Sequence, residues 1–286
     1  MKVRGVEETE IHLVLEALRL RHGYDFRHYA RASLRRRLRA LREQLGLERL
    51  VDLVPKLLRE PDLLARVLSG LSVPVTEMFR DPEVFLTLRR EVVPILQTFP
   101  RINIWQVGCA TGEEAYSLAI LMAEEGCLAR CQIYATDIND AALATAEEGV
   151  FPAHRMALYD DNYRRAGGTG RLADYFQPHL DLVQMAAGLR RTMVFAHHNL
   201  VSDGVFCEAH LVLCRNVLIY FDHHLQGHCL ELMKGSLVRG GYLCLGLREG
   251  LDGLDLEQTF YAVKREMRLF RLRPGGGQAP GRPGGG

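Results

Sequence analysis

The residues best suited to chemistry lie in IWQVGCATGEEAY, residues 104–116. An apolar run from Ile102 to Val107 ends in five small residues, Gly108, Cys109, Ala110, Thr111 and Gly112, and helix-forming residues begin at Glu113. A buried strand, a tight turn and a helix make the first unit of a nucleotide-binding α/β fold. In that unit glycine, here Gly108, lets a ligand approach the backbone, and the helix offers unpaired N–H groups. This is no dinucleotide fingerprint: the third glycine of G-x-G-x-x-G is missing, and Glu113 and Glu114 stand where a pyrophosphate would be repelled. An acidic helix start suits a cationic ligand, such as the ammonium and sulfonium groups of S-adenosylmethionine. A capped helix whose carboxylates complement its dipole accounts for the same residues, and the stretch alone leaves both readings open.

Other polar groups collect at predicted strand ends. Asp137 closes CQIYATD, residues 131–137; Asn199 closes TMVFAHHNL, residues 192–200; Arg215 and Asn216 interrupt HLVLCRNVLIYFD, residues 210–222. Ligands of open α/β sheets sit outside the carboxyl ends of strands, so this convergence outweighs any single motif. Asp137 stands where such folds hold ribose hydroxyls, at a slightly long spacing from the glycine turn. Upstream, Pro74 and Pro82 frame an irregular stretch, 73–85, that brings Thr76 and Arg80 toward a cleft. Tyr220, in NVLIYF, reads from its surroundings as a core residue. Apolar neighbours raise the thiol pKa at Cys109 and Cys214, which read as small core residues. The histidines at 197, 198, 223, 224 and 228 lack an H-E-x-x-H pattern or paired cysteines, and no metal site is expected.

These residues need elements to position them. A chain of 286 residues, 48% hydrophobic and 25% charged, fits one large soluble domain with a smaller one. Its net charge of +1 gives no global argument for nucleic acid, and seven cysteines without C-x-x-C pairs suggest a reducing compartment. With no signal pattern and no long uncharged apolar run, the cytoplasm is expected, without membrane insertion.

Residues 1–72 read as all-helical. Thr9 is the expected cap of a first helix that Gly23 ends, and shorter pieces over 47–70 should break near Pro55 and restart at Pro61. The helix over 29–46 carries Leu34, Leu38, Leu41 and Leu45 in one stripe, with Arg31, Arg35, Arg39 and Arg42 about a quarter turn round. No acid lies between Arg27 and Arg42, so the row forms a positive field suited to an acidic partner. A solvated face is the alternative.

Residues 86–273 alternate strand and helix. A helix over 139–148 precedes an irregular span, 151–191, that is too long for a simple connection and reads as an inserted subdomain or a binding loop. A helix over 222–238 leads to Gly240-Gly241 and the strand GYLCLGL. Residues 260–272 should close the sheet as an antiparallel hairpin about Lys264 to Glu266, and 274–286 form a disordered tail.

With TEMFRDPEVF, VGCATGEEAYSLA, YATDINDAALATAEEGVF, Asn199-Leu200 and CRNVLIYFD in this order, the sequence resembles the CheR family of chemotaxis receptor methyltransferases, from the basic helical region to about residue 272. GEEAYSLA and CRNVLIYF are its most specific blocks. The resemblance implies an α/β fold: a Rossmann-like class I S-adenosylmethionine-dependent methyltransferase domain with a small inserted β-subdomain, preceded by an all-α domain. It implies methyl esterification of glutamates on the acidic cytoplasmic helices of chemoreceptors, with S-adenosylhomocysteine as product. It places Thr76, Arg80, Glu114, Asp137, Asn199, Leu200, Arg215 and Asn216 at the cofactor and Arg80 and Tyr220 near the transferred methyl. The arginine row would then be the receptor-docking surface of a monomer.

Three departures stand out. Pro74 replaces a frequent Asn, His210 stands where an acid is common with Glu208 nearby, and the 151–191 insert aligns poorly, so tethering to a receptor's C-terminal peptide is not assumed. A methyltransferase of the same fold acting on another protein or a small acid, and a non-catalytic cofactor-binding adaptor, are the competing readings.

Overall fold

The structure, a computed structural model, describes residues 5–72, 76–251, 256 and 258–274. Pro74 lies outside the described residues, as do residues 275–286 of the tail expected over 274–286. Helix α1 (Val6–His22) starts at Gly5 rather than Thr9, whose hydroxyl instead donates to the Gly5 carbonyl at 3.1 Å. Gly23 ends it in the left-handed conformation, φ 80°. Helix α2 (Arg31–Gln44) buries Leu34, Leu38 and Leu41. A 3-10 turn (Leu50–Asp52) leads into α3 (Leu53–Arg59), followed by α4 (Leu63–Leu71). Pro55 does not break the chain. It sits in the first turn of α3, where its missing N–H would have no intrahelical partner. Ile11, Leu15, Leu18, Leu38, Leu53 and Val67 form the shared core of these four helices.

Helix α5 (Pro82–Thr87) begins inside the stretch read as irregular, because proline at the first helical position presets the backbone. A π-helical turn (Leu88–Val92) joins it to α6 (Val93–Leu96). The sheet region follows as β1 (Ile102–Val107), α7 (Glu113–Glu124), β2 (Cys131–Asp137), α8 (Asp140–Glu148), β3 (Val150–Pro152), α9 (Met156–Arg165), β4 (Phe176–His179) and β5 (Leu182–Met185). It continues with α10 (Ala187–Arg190), β6 (Met193–His197), β7 (Ala209–Cys214), α11 (His223–Ser236), β8 (Leu237–Leu245), β9 (Phe260–Lys264) and β10 (Leu269–Leu272).

Seven strands make one sheet in the order β6-β2-β1-β7-β8-β10-β9. The first five are parallel, and β10 runs antiparallel to both β8 and β9, the expected closing hairpin. Strand order reverses between β1 and β7, so the crevice of such a sheet opens above these two strands. Gly240 and Gly241 lie within β8 rather than ahead of it. Gly240 is left-handed, φ 71°, near the register shift against β7 between Ala209 and Leu211, which marks a bulge. The insert is a three-stranded antiparallel sheet, β3-β5-β4, with α9, a subdomain rather than a loop. Among the described residues no helix is long and apolar enough to cross a membrane.

Candidate active site

The carboxyl ends of β1, β2 and β7 and the loop after β6 border one cleft, with about 840 Å³ of empty space partly open to solvent. Gly108, Asp137, Asn199, Leu200, Asn216 and Tyr220 line its sheet side, and Phe26, Tyr29, Arg37, Leu68 and Leu71 its helical side. The small residues of the first turn are dictated by close approach. Gly108 is left-handed (φ 67°), and a Cβ there would collide with Val217 Cγ2. At Gly112 (φ 92°) a Cβ would lie 2.9 Å from the Ala146 Cβ of α8. Asp137 ties two strand ends together: one oxygen accepts from the Ala110 N–H at 2.8 Å, the other from the Asn139 N–H at 2.9 Å. Burial pushes its carboxyl above the usual range, against the pull of those N–H groups. Asn139 caps α8 and donates to the Ser72 hydroxyl at 2.8 Å, fixing the sheet to the helical layer. Asn199 accepts from the Val201 N–H at 3.0 Å.

Glu114 and Arg215 stand behind the cleft rather than on its wall. Arg215 Nη1 lies 2.5 Å from Glu114 Oε2, and its Nη2 donates to Asp81 Oδ2 at 2.7 Å and the Arg80 carbonyl at 3.0 Å. The Glu114 charge is therefore already matched inside the protein. Its Oε1 and the Asn216 Oδ1 remain buried acceptors without a hydrogen-bond partner among the described residues.

Thr76 and Arg80 also lie off the cleft wall, on a segment that others pin. The Thr76 carbonyl accepts from Arg155 at 3.0 Å, the Met78 carbonyl from Asn162 at 3.0 Å, and the Phe79 N–H donates to Ser117 Oγ at 2.9 Å. Phe79 (φ 51°) and Asp81 (φ 54°) are both left-handed, a strain of order 1–3 kcal/mol each that surrounding structure must hold. Arg80, between them, is half-buried, and its guanidinium makes no hydrogen bond or ion pair among the described residues.

Tyr220 is held by the helical layer. The Ala30 N–H donates to the Tyr220 carbonyl at 2.7 Å, the Asp222 N–H to the His28 carbonyl at 2.7 Å, and Tyr29 and Phe221 form an isolated antiparallel bridge. Over the Tyr220 ring lies Arg37, a residue absent from the sequence reading. Its Nη1 donates to the Leu71 carbonyl, while its Nη2 is buried without a hydrogen-bond partner among the described residues. Burial pulls this guanidinium below its ordinary pKa. Its signal was its spacing, three residues after Leu34 and four before Leu41, at the edge of the apolar stripe; the run Arg35-Arg36-Arg37 masked it.

The arginine row lies on the other flank of the stripe, and although no acid lies between Arg27 and Arg42, its positive field is compensated in space, by α1 and by Glu43. Arg35 pairs with Glu8 at 2.9 Å, Arg39 with Glu7 at 2.5 Å and Arg31 with Glu8 at 3.5 Å; Arg42 pairs with Glu43 at 3.2 Å. None of the four lines the cleft. His210 lies away from it too, accepting from the Asn103 N–H at 3.1 Å. Burial raises the thiols of Cys109 and Cys214 well above their ordinary value. Among the described residues no group of three or more His, Cys, Asp or Glu could hold a metal.

The cleft thus presents acceptors at the strand tips, one of them, Asn216 Oδ1, buried and unpaired among the described residues, and is small where a ligand would meet the backbone. That donor and acceptor set fits a ligand bearing cationic centres and hydroxyl donors. Comparison with known proteins agrees. Residues 74–268 match the family model described as CheR methyltransferase, SAM binding domain, and residues 9–72 match CheR methyltransferase, all-alpha domain. A Pseudomonas putida protein named "Putative methyltransferase Cher3" is 43% identical over 264 residues, covering 92% of this chain and 97% of its own length. "Chemotaxis protein methyltransferase 1" of Pseudomonas aeruginosa is 32% identical, covering 76% and 81%. "Chemotaxis protein methyltransferase" of Listeria innocua is 28% identical, covering 85% and 92%.

Proposed function

The chain belongs to the CheR methyltransferase family, and on that premise we propose that it transfers methyl groups from S-adenosylmethionine to glutamate side chains on the cytoplasmic helices of chemoreceptors, forming methyl esters. The cofactor supplies, when bound, a methyl group made electrophilic by its sulfonium. Gly108, Asp137, Asn199, Leu200 and Asn216 would hold it, with Glu114 and Arg215 bracing the wall behind them. Thr76 and Arg80 join from the pinned segment beside it.

The observation that carries the substrate reading is Arg37 Nη2, a charged donor buried at the cleft without a hydrogen-bond partner among the described residues. A glutamate carboxylate, with an ordinary pKa of about 4.3, arrives ionised at neutral pH, so the reaction needs no base to remove a proton. It needs a carboxylate held still and water kept away, because opposite charges are consumed as the ester forms. Arg37 can donate to such a carboxylate while its Nη1 stays on Leu71 and its cation stays over Tyr220, which fixes its direction. The apolar side chains of Phe26, Leu68 and Leu71 exclude water around it. Arg80 supplies a second cation that orients the same carboxylate.

Docking of receptor helices by Arg31, Arg35, Arg39 and Arg42 belongs to this reading, with a change of terms. The receptor's acids must displace Glu7 and Glu8, which solvent-screened pairs at the surface permit. Mass spectrometry of receptor cytoplasmic fragments incubated with the protein and S-adenosylmethionine tests the substrate. Methyl esters on glutamates of the signalling helices support the reading. Methylation of another side chain or of a small acid, with the receptor untouched, replaces it.

A further inference from the structure

We propose that Glu249 is a positioning residue for methyl transfer: its carboxylate gathers three backbone N–H groups from the loops that follow β7 and β8, and so fixes Asn216 and Tyr220 at the cleft wall. The inference rests on the reading of the cleft as the cofactor and methyl-transfer site.

Glu249 is 5% exposed. Its Oε2 accepts from the Asn216 N–H at 3.0 Å and the Gly246 N–H at 2.7 Å, and its Oε1 from the Ile219 N–H at 3.2 Å. Asn216 is left-handed, φ 59°, a conformation that asparagine tolerates but does not prefer. Its buried Oδ1 has no hydrogen-bond partner among the described residues, and the residue lines the cleft. Holding the Asn216 N–H therefore holds the direction of a polar group the cleft leaves open. Ile219 precedes Tyr220 in the turn Leu218–Tyr220, so the second oxygen anchors the backbone from which the Tyr220 ring projects.

Gly246 shows how tightly the three parts fit. A Cβ there would lie 2.7 Å from Glu249 Oε2 and 2.8 Å from the Asn216 nitrogen, so only glycine lets the two loops close on the carboxylate. All three partners are donors. A carboxylate accepts from all of them, whereas the isosteric amide of glutamine would turn its own N–H groups against at least one. Glu249 does not line the cleft, and its effect passes through the loop.

The experiment compares wild type, Glu249→Gln, Asn216→Gly and the double variant. Binding of S-adenosylhomocysteine is measured by calorimetry at a temperature where circular dichroism shows each variant folded. Glu249→Gln is expected to weaken binding about tenfold or more. The same change made on top of Asn216→Gly should cost much less, since the group being positioned is then gone. Unchanged binding by folded Glu249→Gln, or full additivity, would overturn the proposal. Should Glu249→Gln not fold, amide exchange in the ligand-free wild type decides. The N–H groups of Asn216, Ile219 and Gly246 should exchange as slowly as those within β7 and β8, and fast exchange at all three would overturn it. Failure of the wild type to bind S-adenosylhomocysteine would instead count against the cofactor reading.

Discussion

The guanidinium carbon of Arg37 lies 4.6 Å from the centre of the Tyr220 ring, joining the second helix to the loop after β7 directly over the cleft. A lysine at 37 would be a single point charge, unable to keep the Leu71 carbonyl, the ring face and a carboxylate together. Arg37→Lys is accordingly expected to lower turnover on receptor about ten- to a hundredfold, the worth of one charge-assisted hydrogen bond. S-adenosylhomocysteine binding should change little. Wild-type turnover in the variant would show that Arg37 only packs the helical layer.

Arg80 and Arg215 should behave in opposite ways. Arg80 has no partner among the described residues, so Arg80→Ala should remove most turnover while unfolding in urea shifts by no more than about 0.5 kcal/mol. Arg215 is buried against Glu114 and Asp81, so Arg215→Ala strands buried charge and should destabilise by about 3–5 kcal/mol. Receptor methylation at the wild-type rate in Arg80→Ala would contradict its assignment. An Arg215→Ala protein as stable as wild type that merely loses cofactor would make Arg215 a direct contact instead.

Asp137 sets a pH trend in the ligand-free protein. Burial raises its folded pKa above the unfolded value, so the folded state binds the proton more tightly. Its stability contribution is then fully present below the unfolded pKa and is lost as pH rises through the folded one. Asp137→Asn removes this contribution. The stability of the variant relative to wild type, from denaturant titrations between about pH 4 and pH 7, should improve as pH rises. A gap that moves in the wild type's favour with rising pH would contradict the sign.

The pairing of α1 with α2 makes the docking row testable from both sides. Glu7→Gln with Glu8→Gln frees Arg31, Arg35 and Arg39 and should lower the KM for receptor at low salt. Arg35→Glu with Arg39→Glu should raise it, and both effects should shrink at high ionic strength. Unchanged receptor kinetics in both would leave the row with no role beyond the contact of the two helices.

Much of the strand pattern was readable because parallel strands buried on both faces are continuous apolar runs, as in Ile102–Val107 and Ala209–Cys214, with polar residues at their ends. The insert could be located but not typed, since its strands are three or four residues long and carry little periodicity. Local signals misled where context decides: Thr9 is a good cap, but the helix starts a turn earlier, and Pro55 is a breaker only beyond a helix's first turn. Of the candidate site, the strand tips gave Gly108, Asp137, Asn199 and Asn216, which line the cleft, and Arg215, which stands behind it, while Leu200 came only with the family resemblance. Its remaining parts depend on distance in space. Spacing puts Arg37 at the edge of the apolar stripe but not over Tyr220, and nothing local pairs Glu7 with Arg39 or carries Glu249 to Asn216, 33 residues away.

The central claim is methyl transfer to receptor glutamates, and the most direct measurement is incubation of the purified protein with methyl-labelled S-adenosylmethionine and membranes carrying candidate chemoreceptors. The account predicts label in the receptor band that mild base releases as volatile methanol, the behaviour of a carboxyl ester. Label that resists base, or receptor that stays unlabelled while the protein binds its cofactor, would contradict it.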